Sequence, residues 1–297
     1  MTDLLQRIQR YVSGLSSVPT IPHLLVPLLQ HLCEPAEDVR LGKVVQLISQ
    51  DPSLSGQCLR MANSPLFGVR GRIDSIRGAV ITLGLSRVRQ LATTCCLLQS
   101  FRGVTCRDHA LHIWSHSLAI AMVSEKFARQ IKIGTPEIAY SAGLLHDLGV
   151  IIELAACPSE FDAAAHLAAE CNRDLHDCEL ELYGFDHTIA GDLIAQEWNL
   201  PQPIKDVIRY HHDVEHAPAD HCIVAVVNVC DLLCRMRNLG YGFDELTRVD
   251  ISAEPGWNAL SSEFKKLQDL DLERFTLELD SYIDEVRELI SELFQPA

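Results

Sequence analysis

The sequence predicts an all-α protein built from two helical subdomains, and three observations carry that prediction. Apolar residues recur at i, i+3 and i+4 through most of the chain, the spacing that lines one face of a helix. No convincing run of alternating apolar and polar residues marks a strand, and there is no internal repeat or low-complexity segment. The gaps between periodic segments hold proline, glycine, Asp and Asn where helices start and stop.

The first subdomain, about residues 1–108, takes its helices from LLQRIQRYV, HLLVPLLQHL, VRLGKVVQLI, LSGQCLRMA and VRQLATTCCLL. Val18-Pro19 and Ile21-Pro22 open the first connection. Asp51-Pro52 supplies an N-cap and an N1 proline for the next helix, and Asn63-Ser64-Pro65 closes it. Gly84, after ITL, has the position of a C-terminal glycine. The second subdomain, about 109–240, runs through WSHSLAIAMVSEKFARQ, PEIAYSAGLLHDLGVIIELA, HTIAGDLIAQEWNLP, IKDVIRYHH and CIVAVVNVCDLLCRM. Residues 241–297 form an acidic extension that ends in the amphipathic helix LERFTLELDSYIDEVRELISELF. Its apolar face carries Leu272, Phe275, Leu279, Tyr282, Ile283, Val286, Leu289, Ile290 and Leu293, and is expected to dock on the domain; pairing with a partner chain is the alternative.

Composition narrows the function. With 297 residues, 47% of them apolar, the chain can bury a sizeable core. The N-terminus lacks a basic start followed by an apolar run, and the apolar stretches near LATTCCLLQSF and HCIVAVVNVC fall short of the roughly 20 residues that span a bilayer, so a cytoplasmic protein without membrane segments is expected. Eleven cysteines include no CxxC pair, and several lie in apolar helical runs, which suits buried thiols in a reducing compartment. A net charge of −15 argues against general nucleic-acid binding. Residues 52–107 nevertheless carry eight arginines against one acid, Asp74. That stretch either pairs with the acidic half of the same chain or receives an acidic partner or a phosphate.

Polar groups inside apolar helices point to chemistry. His116 lies between Trp114 and LAIAMV, His146-Asp147 between LL and LG, and Asp231 within VAVVNVCDLLC. A lone buried carboxylate costs several kcal/mol (order of magnitude), so such groups are paired or bound to metal. Imidazole with carboxylate suits iron, manganese, zinc or nickel, and ligands far apart in sequence meet in bundle cores. His187, at the start of one helix, and His211-His212, at the end of another, fit a second position. With Asp147 bridging, these seven residues could form a dinuclear centre. The remaining histidines, at 23, 31, 109, 112, 166, 176, 216 and 221, read as surface or capping residues. A chelate of His112 with His116 at i, i+4 is the weaker option.

These residues resemble the HD superfamily of metal-dependent phosphohydrolases, and more closely the HDOD family of HD-related output domains in bacterial signalling. The likeness covers roughly Val18 to Gly240 and is most specific in VPTIPHLLVPLLQHL, ISQDPSLSGQCLRMANSPLFG and IDSIRGAVITLGLSRVRQLA. WSHSLAIA, AGLLHDLGVI, FDHTIAGDLIAQEWNLP and YHH extend it. The related HD-GYP phosphodiesterases, which hydrolyse cyclic di-GMP, order their ligands as His, HD, His, HH and Asp, and this chain matches at His116, His146-Asp147, His187, His211-His212 and Asp231. By that resemblance His116, His146, Asp147 and Asp231 would hold one metal, and Asp147, His187, His211 and His212 the other. Two departures stand out. Val150 occupies the place of the lysine in HDxGK, and Asp213 followed by VEHAPAD replaces the glutamate and the GYP signature.

The resemblance implies a regulatory output domain that binds divalent metal, iron or manganese ahead of zinc or nickel, and works through a signalling partner protein. The alternative is a metal-dependent phosphohydrolase acting on a nucleotide or cyclic dinucleotide, with Arg70, Arg72 or Arg77 replacing the lost lysine at the phosphate. A redox or diatomic-gas sensor is a third reading, carried by the histidine and carboxylate set alone.

Overall fold

The structure, a computed structural model, describes residues 3–15, 24–30, 41–101, 107–134, 136–218, 221–241, 250–264, 267 and 272–294. Among them every regular element is a helix. The first group comprises α2 (Val26–Gln30), α3 (Leu41–Ser49), α4 (Pro52–Ala62), α5 (Ile76–Leu83) and α6 (Leu85–Ser100). Asp51 caps α4, its carboxylate accepting from the Ser53 and Leu54 amides, with Pro52 at the first helical position. Gly84, at φ 86°, ends α5 and begins α6 in one residue, a conformation that disfavours any residue with a Cβ. The proline pairs Val18-Pro19 and Ile21-Pro22 lie outside the described residues.

The second group opens with the long helix α7 (Arg107–Ile131), which packs closely along α8 (Pro136–Leu145). Then follow α9 (Leu148–Ala156), α10 (Pro158–Cys171), α11 (Leu175–Tyr183), α12 (His187–Glu197), α13 (Gln202–Tyr210) and α14 (Cys222–Arg235). α6 joins the groups by packing on α8, and Arg87 reaches across to Glu125 at 2.6 Å. One arginine of the basic stretch thus pairs with an acid of the second half.

Three features depart from the sequence-based division. First, α1 (Asp3–Leu15) packs on α9 and α12 of the second group, although the boundary at 108 places it with the first. Ile8, Val12 and Leu15 are its buried stripe, and Arg7 meets Glu160 at 2.5 Å. Second, residues 158–183 form two helices, α10 and α11, that the periodicity analysis passed over. Third, the apolar helix expected to run unbroken through YSAGLLHDLGVIIEL is interrupted: α8 stops at Leu145, His146 and Asp147 form a turn, and α9 restarts at Leu148.

Pro136–Ala156 as a whole is long and apolar enough by composition to cross a membrane, but 89% of its most apolar window is buried inside the protein. Its hydropathy is that of a core element. The extension supplies α15 (Pro255–Glu263), packed on α14, and α16 (Leu272–Phe294), packed on α7. Phe275, Leu279, Ile283, Val286 and Leu289 of α16 are buried, and Phe275 lies 5.4 Å from Phe127, centroid to centroid. The face docks on its own domain. The side chains of Leu272 and Leu293 lie outside the described set. The described cysteines form no disulfide.

Candidate metal centre

The turn between α8 and α9 is what brings His146 and Asp147 to one point. On a continuous helix, adjacent side chains diverge by about 100°. Here His146 Nε2 lies 2.8 Å from Oδ2 of Asp147. Gly149, two residues on, lets α9 press against the start of α12. A Cβ there would lie 1.8 Å from the His187 carbonyl oxygen and 2.7 Å from the Gly191 amide nitrogen. That close approach seats His187 over the second oxygen of Asp147.

Asp147 is the hub. Its Oδ2 faces His146 and, at 3.4 Å, His116 Nε2 from α7. Its Oδ1 faces His187 Nε2 at 3.4 Å and His211 Nε2 at 3.3 Å. Asp231 of α14 closes the first side, with Oδ1 at 3.2 Å from His116 Nε2. His212 closes the second, with Nε2 at 3.1 Å from His187 Nε2. Six of the seven sequence-predicted residues therefore form two sets that share Asp147, and Asp231 adjoins the first set through His116. His116, His146, Asp147, His187 and His211 are almost fully buried.

The tautomers follow from the outer partners. His116 Nδ1 donates to the Leu239 carbonyl at 2.6 Å, His146 Nδ1 to Gly143 at 2.8 Å, and His211 Nδ1 to Val207 at 3.0 Å. His187 Nδ1 donates to Glu179 Oε2 at 2.7 Å. A carbonyl or carboxylate oxygen can only accept here, so each Nδ1 bears the proton, and a neutral ring then turns a bare Nε2 inward. Four lone pairs thus converge on a carboxylate whose Oδ1 accepts no hydrogen bond, and Asp231 Oδ1 is likewise unsatisfied. Buried acceptors facing acceptors at 3.1–3.4 Å are costly unless protons or a cation lie between them. Outer-shell carbonyls and a carboxylate on ligating histidines are the usual support of a metal. The buried His/Asp donor set fits a metal ion.

With protons alone the cluster is strongly polarised. Burial pulls His116 down, but its hydrogen bonds to Asp147 and Asp231 outweigh this and lift it to about 10. Burial likewise opposes His187, and the charge and hydrogen bond of Glu179 raise it to about 9. Asp147 resists burial because the charge on His146 and the bonds from His116 and His146 hold it well below the carboxylate range. His212 is pushed far down, by burial and then by His211 and His187.

Several participants escaped the sequence analysis. Tyr241, one residue beyond the boundary drawn at 240, donates its phenol hydrogen to Asp147 Oδ2. Glu179 of α11 accepts from both the amide and Nδ1 of His187. Arg235 pairs with Asp174 and lies 3.8 Å from Asp231, all three at the wall of the small cavity over the donor cluster. His176, read from the sequence as a surface or capping residue, stacks on His212 with centroids 4.7 Å apart and meets Asp186 at 3.3 Å. The signals were faint: α11 buries Leu175, Cys178 and Glu179 while exposing Leu180 and Leu182, so its composition hides its inner face.

Other expected residues stay outside. Arg70, Arg72 and Arg77 are exposed and do not line the cavity over the ligands; Arg72 instead lines a separate groove with Arg60 and Asn63. His112 faces outward while His116 faces inward, so the pair does not chelate. Val150, in the lysine position, is fully buried in the core. Asp213 is exposed and bonded to His216.

Comparison with known proteins fits this geometry. A crystal structure of an HDOD domain protein of unknown function from Geobacter sulfurreducens is 32% identical, with a TM-score of 0.83 and 98% of both chains covered. A protein of Shewanella amazonensis SB2B described as a candidate phosphohydrolase shares the fold at 21% identity and a TM-score of 0.72, covering 98% of this chain and 97% of its own. A curated Treponema pallidum (strain Nichols) protein, described as uncharacterized, is 29% identical over 212 residues, 70% of this chain; the match spans 40% of that relative's length. The family profile described as the HDOD domain matches residues 18–214, two thirds of the chain, and with the Geobacter structure it establishes that this protein belongs to the HDOD family.

Proposed function

We propose that the chain is a regulatory output module of bacterial signalling, active in the cytoplasm and not itself a hydrolase. A pair of divalent ions, iron or manganese before zinc or nickel, ties its second bundle together. His116, His146, Asp147 and Asp231 would hold one ion, and Asp147, His187, His211 and His212 the other. The first bundle would offer the surface for a signalling partner.

One observation carries the non-catalytic reading: little room is left over the donor set. The cavity over the ligands is about 10 Å³, room for about one water-sized sphere and none for a nucleotide. The residue in the lysine position is a buried valine, and Arg70, Arg72 and Arg77 lie elsewhere. A second reading, a phosphohydrolase acting on a nucleotide or cyclic dinucleotide, draws support from the complete ligand set and from Arg235 at the cavity wall.

The test is elemental analysis of protein purified without a metal-affinity tag, for wild type and Asp147→Ala, followed by phosphodiester hydrolysis assays on the loaded wild type. About two equivalents of metal, lost in the variant, with no turnover of cyclic dinucleotide or of a chromogenic diester, is the expected outcome. Turnover abolished by Asp147→Ala would establish the hydrolase instead. A wild type without metal would remove the centre from both readings.

A further inference from the structure

The chain leaves α14 through a tight reversal. Asn238 takes φ 55°, and the Leu239 amide bonds back to the Cys234 carbonyl at 3.0 Å. From there Leu239 and Tyr241 turn onto the metal centre. The Leu239 carbonyl fixes His116 Nδ1, and the Tyr241 phenol reaches Asp147 Oδ2. Tyr241 is buried, with its ring edge-on to His116 at 4.8 Å. The oxygen it touches is the one approached by His146 Nε2 at 2.8 Å and His116 Nε2 at 3.4 Å. Two imidazole nitrogens, the carboxylates of Asp147 and Asp231 and one phenol oxygen therefore belong to the same corner.

We propose that Tyr241 is a further protein ligand of the ion on the His116–His146 side, its phenol oxygen taking the position that a hydrolytic centre keeps open for water. The inference rests on the metal-centre reading and deepens it. A hydrolytic ion presents an open position to water or substrate, whereas a structural ion is closed by protein donors. Here Tyr241 lines the same small cavity as His116, His146, Asp147 and Asp231. A phenol oxygen added to two carboxylates also shifts the donor set toward hard oxygen, which suits iron or manganese. Coordination releases the phenol proton to solvent, as with any ligand that sheds a proton on binding metal. The same helix thus fixes two donors, Asp231 within α14 and Tyr241 just beyond it.

The test is spectroscopic. Metal-free protein is loaded separately with iron, manganese and zinc, and bound equivalents are counted. Tyrosinate formation is followed in the ultraviolet difference spectrum and, after air oxidation of the iron form, as a visible phenolate-to-iron(III) charge-transfer band. The expected result is a tyrosinate signal in the wild type that is lost in Tyr241→Phe, with helical content unchanged. Metal bound without that signal, or with the signal retained in Tyr241→Phe, overturns the inference and leaves the centre standing. Absence of bound metal in the wild type overturns the centre and the inference together. No other tyrosine among the described residues lines the cavity, so the wild-type spectrum decides the matter even if the variant fails to fold.

Discussion

Replacing Gly149 with alanine tests the contact that assembles the centre. The added Cβ would stand 1.8 Å from the His187 carbonyl oxygen and 2.7 Å from the Gly191 amide nitrogen, where 3.4 Å is ordinary contact. Both are backbone atoms, so no rotamer change relieves the clash, and α9 and α12 must part locally by roughly 1.5 Å in a close-packed interior. Overpacking typically costs about 1–3 kcal/mol, and a backbone clash belongs at the upper end, about 3 kcal/mol. At about 2–4 °C per kcal/mol for a chain of this size, the melting temperature should fall by about 6–12 °C. The same displacement draws His187 away from Asp147, so the second ion should be lost even where the variant folds. Gly56→Ala is the control: nothing lies within 4 Å of its added Cβ, so the melting temperature and the metal content should stay close to those of the wild type. Calorimetry with metal analysis reads both effects. A Gly149→Ala protein that melts within about 2 °C of the wild type and keeps all its metal would refute the view that this crossing positions the site.

Further outcomes follow from the same geometry. A chelator should lower the melting temperature of the wild type, by the equivalent of about 2.7 kcal/mol if free metal stands near 100 times its dissociation constant, and leave Asp147→Asn unmoved, since that residue serves both halves; differential scanning calorimetry with and without chelator checks it. Glu179→Gln should weaken metal binding by about 10–100-fold with the ligands intact, because it removes the carboxylate that orients His187; competitive titration against a metallochromic indicator reads the change. Glu153 is buried with neither carboxyl oxygen hydrogen-bonded; burial, then the charge of Glu179, raises it well above the carboxylate range. A folded value above the unfolded one, about 4.3, makes its contribution full below that pH and lost as pH rises through the folded value. Glu153→Gln should therefore gain about 1–3 kcal/mol over the wild type between pH 5 and pH 8, measured by urea unfolding; a pH-independent difference would count against it.

The legible part of the protein was the part written as local pattern. The caps at Asp51 and Gly84 could be placed because a side-chain acceptor before Pro52, or a glycine after a periodic run, acts within one turn. His116, His146, Asp147 and Asp231 were visible because a carboxylate or imidazole in an apolar helix contradicts its surroundings, whereas His187 and His211-His212, at helix ends, were added as a second position beside them. What stayed hidden depends on atoms that side-chain identity does not announce. His116 is fixed by a carbonyl of Leu239, which any residue could supply. Glu179 sits in a helix whose acids and exposed leucines give the inner face no apolar stripe. The break at His146-Asp147 was obscured because the flanking residues are apolar and helical on both sides, and tertiary contacts at Gly149 decide where the helix stops. The placement of α1 was hidden for a related reason: its amphipathic stripe shows that it docks, but not where.

That placement of α1 sets an order of events in time. Arg7 and Glu160 are 153 residues apart in the chain, and the partners of α1 run on into α12. At a synthesis rate of about 5–20 residues per second, the ribosome needs on the order of ten seconds or more to make what lies between them. During that interval the α9 and α12 surface on which α1 buries Ile8, Val12 and Leu15 has not been made. Helix α1 is thus made well before the surface it settles on, and the interval is a window in which a chaperone could hold it. Helix α1 thus acts as a late clasp on the half that carries the His/Asp cluster.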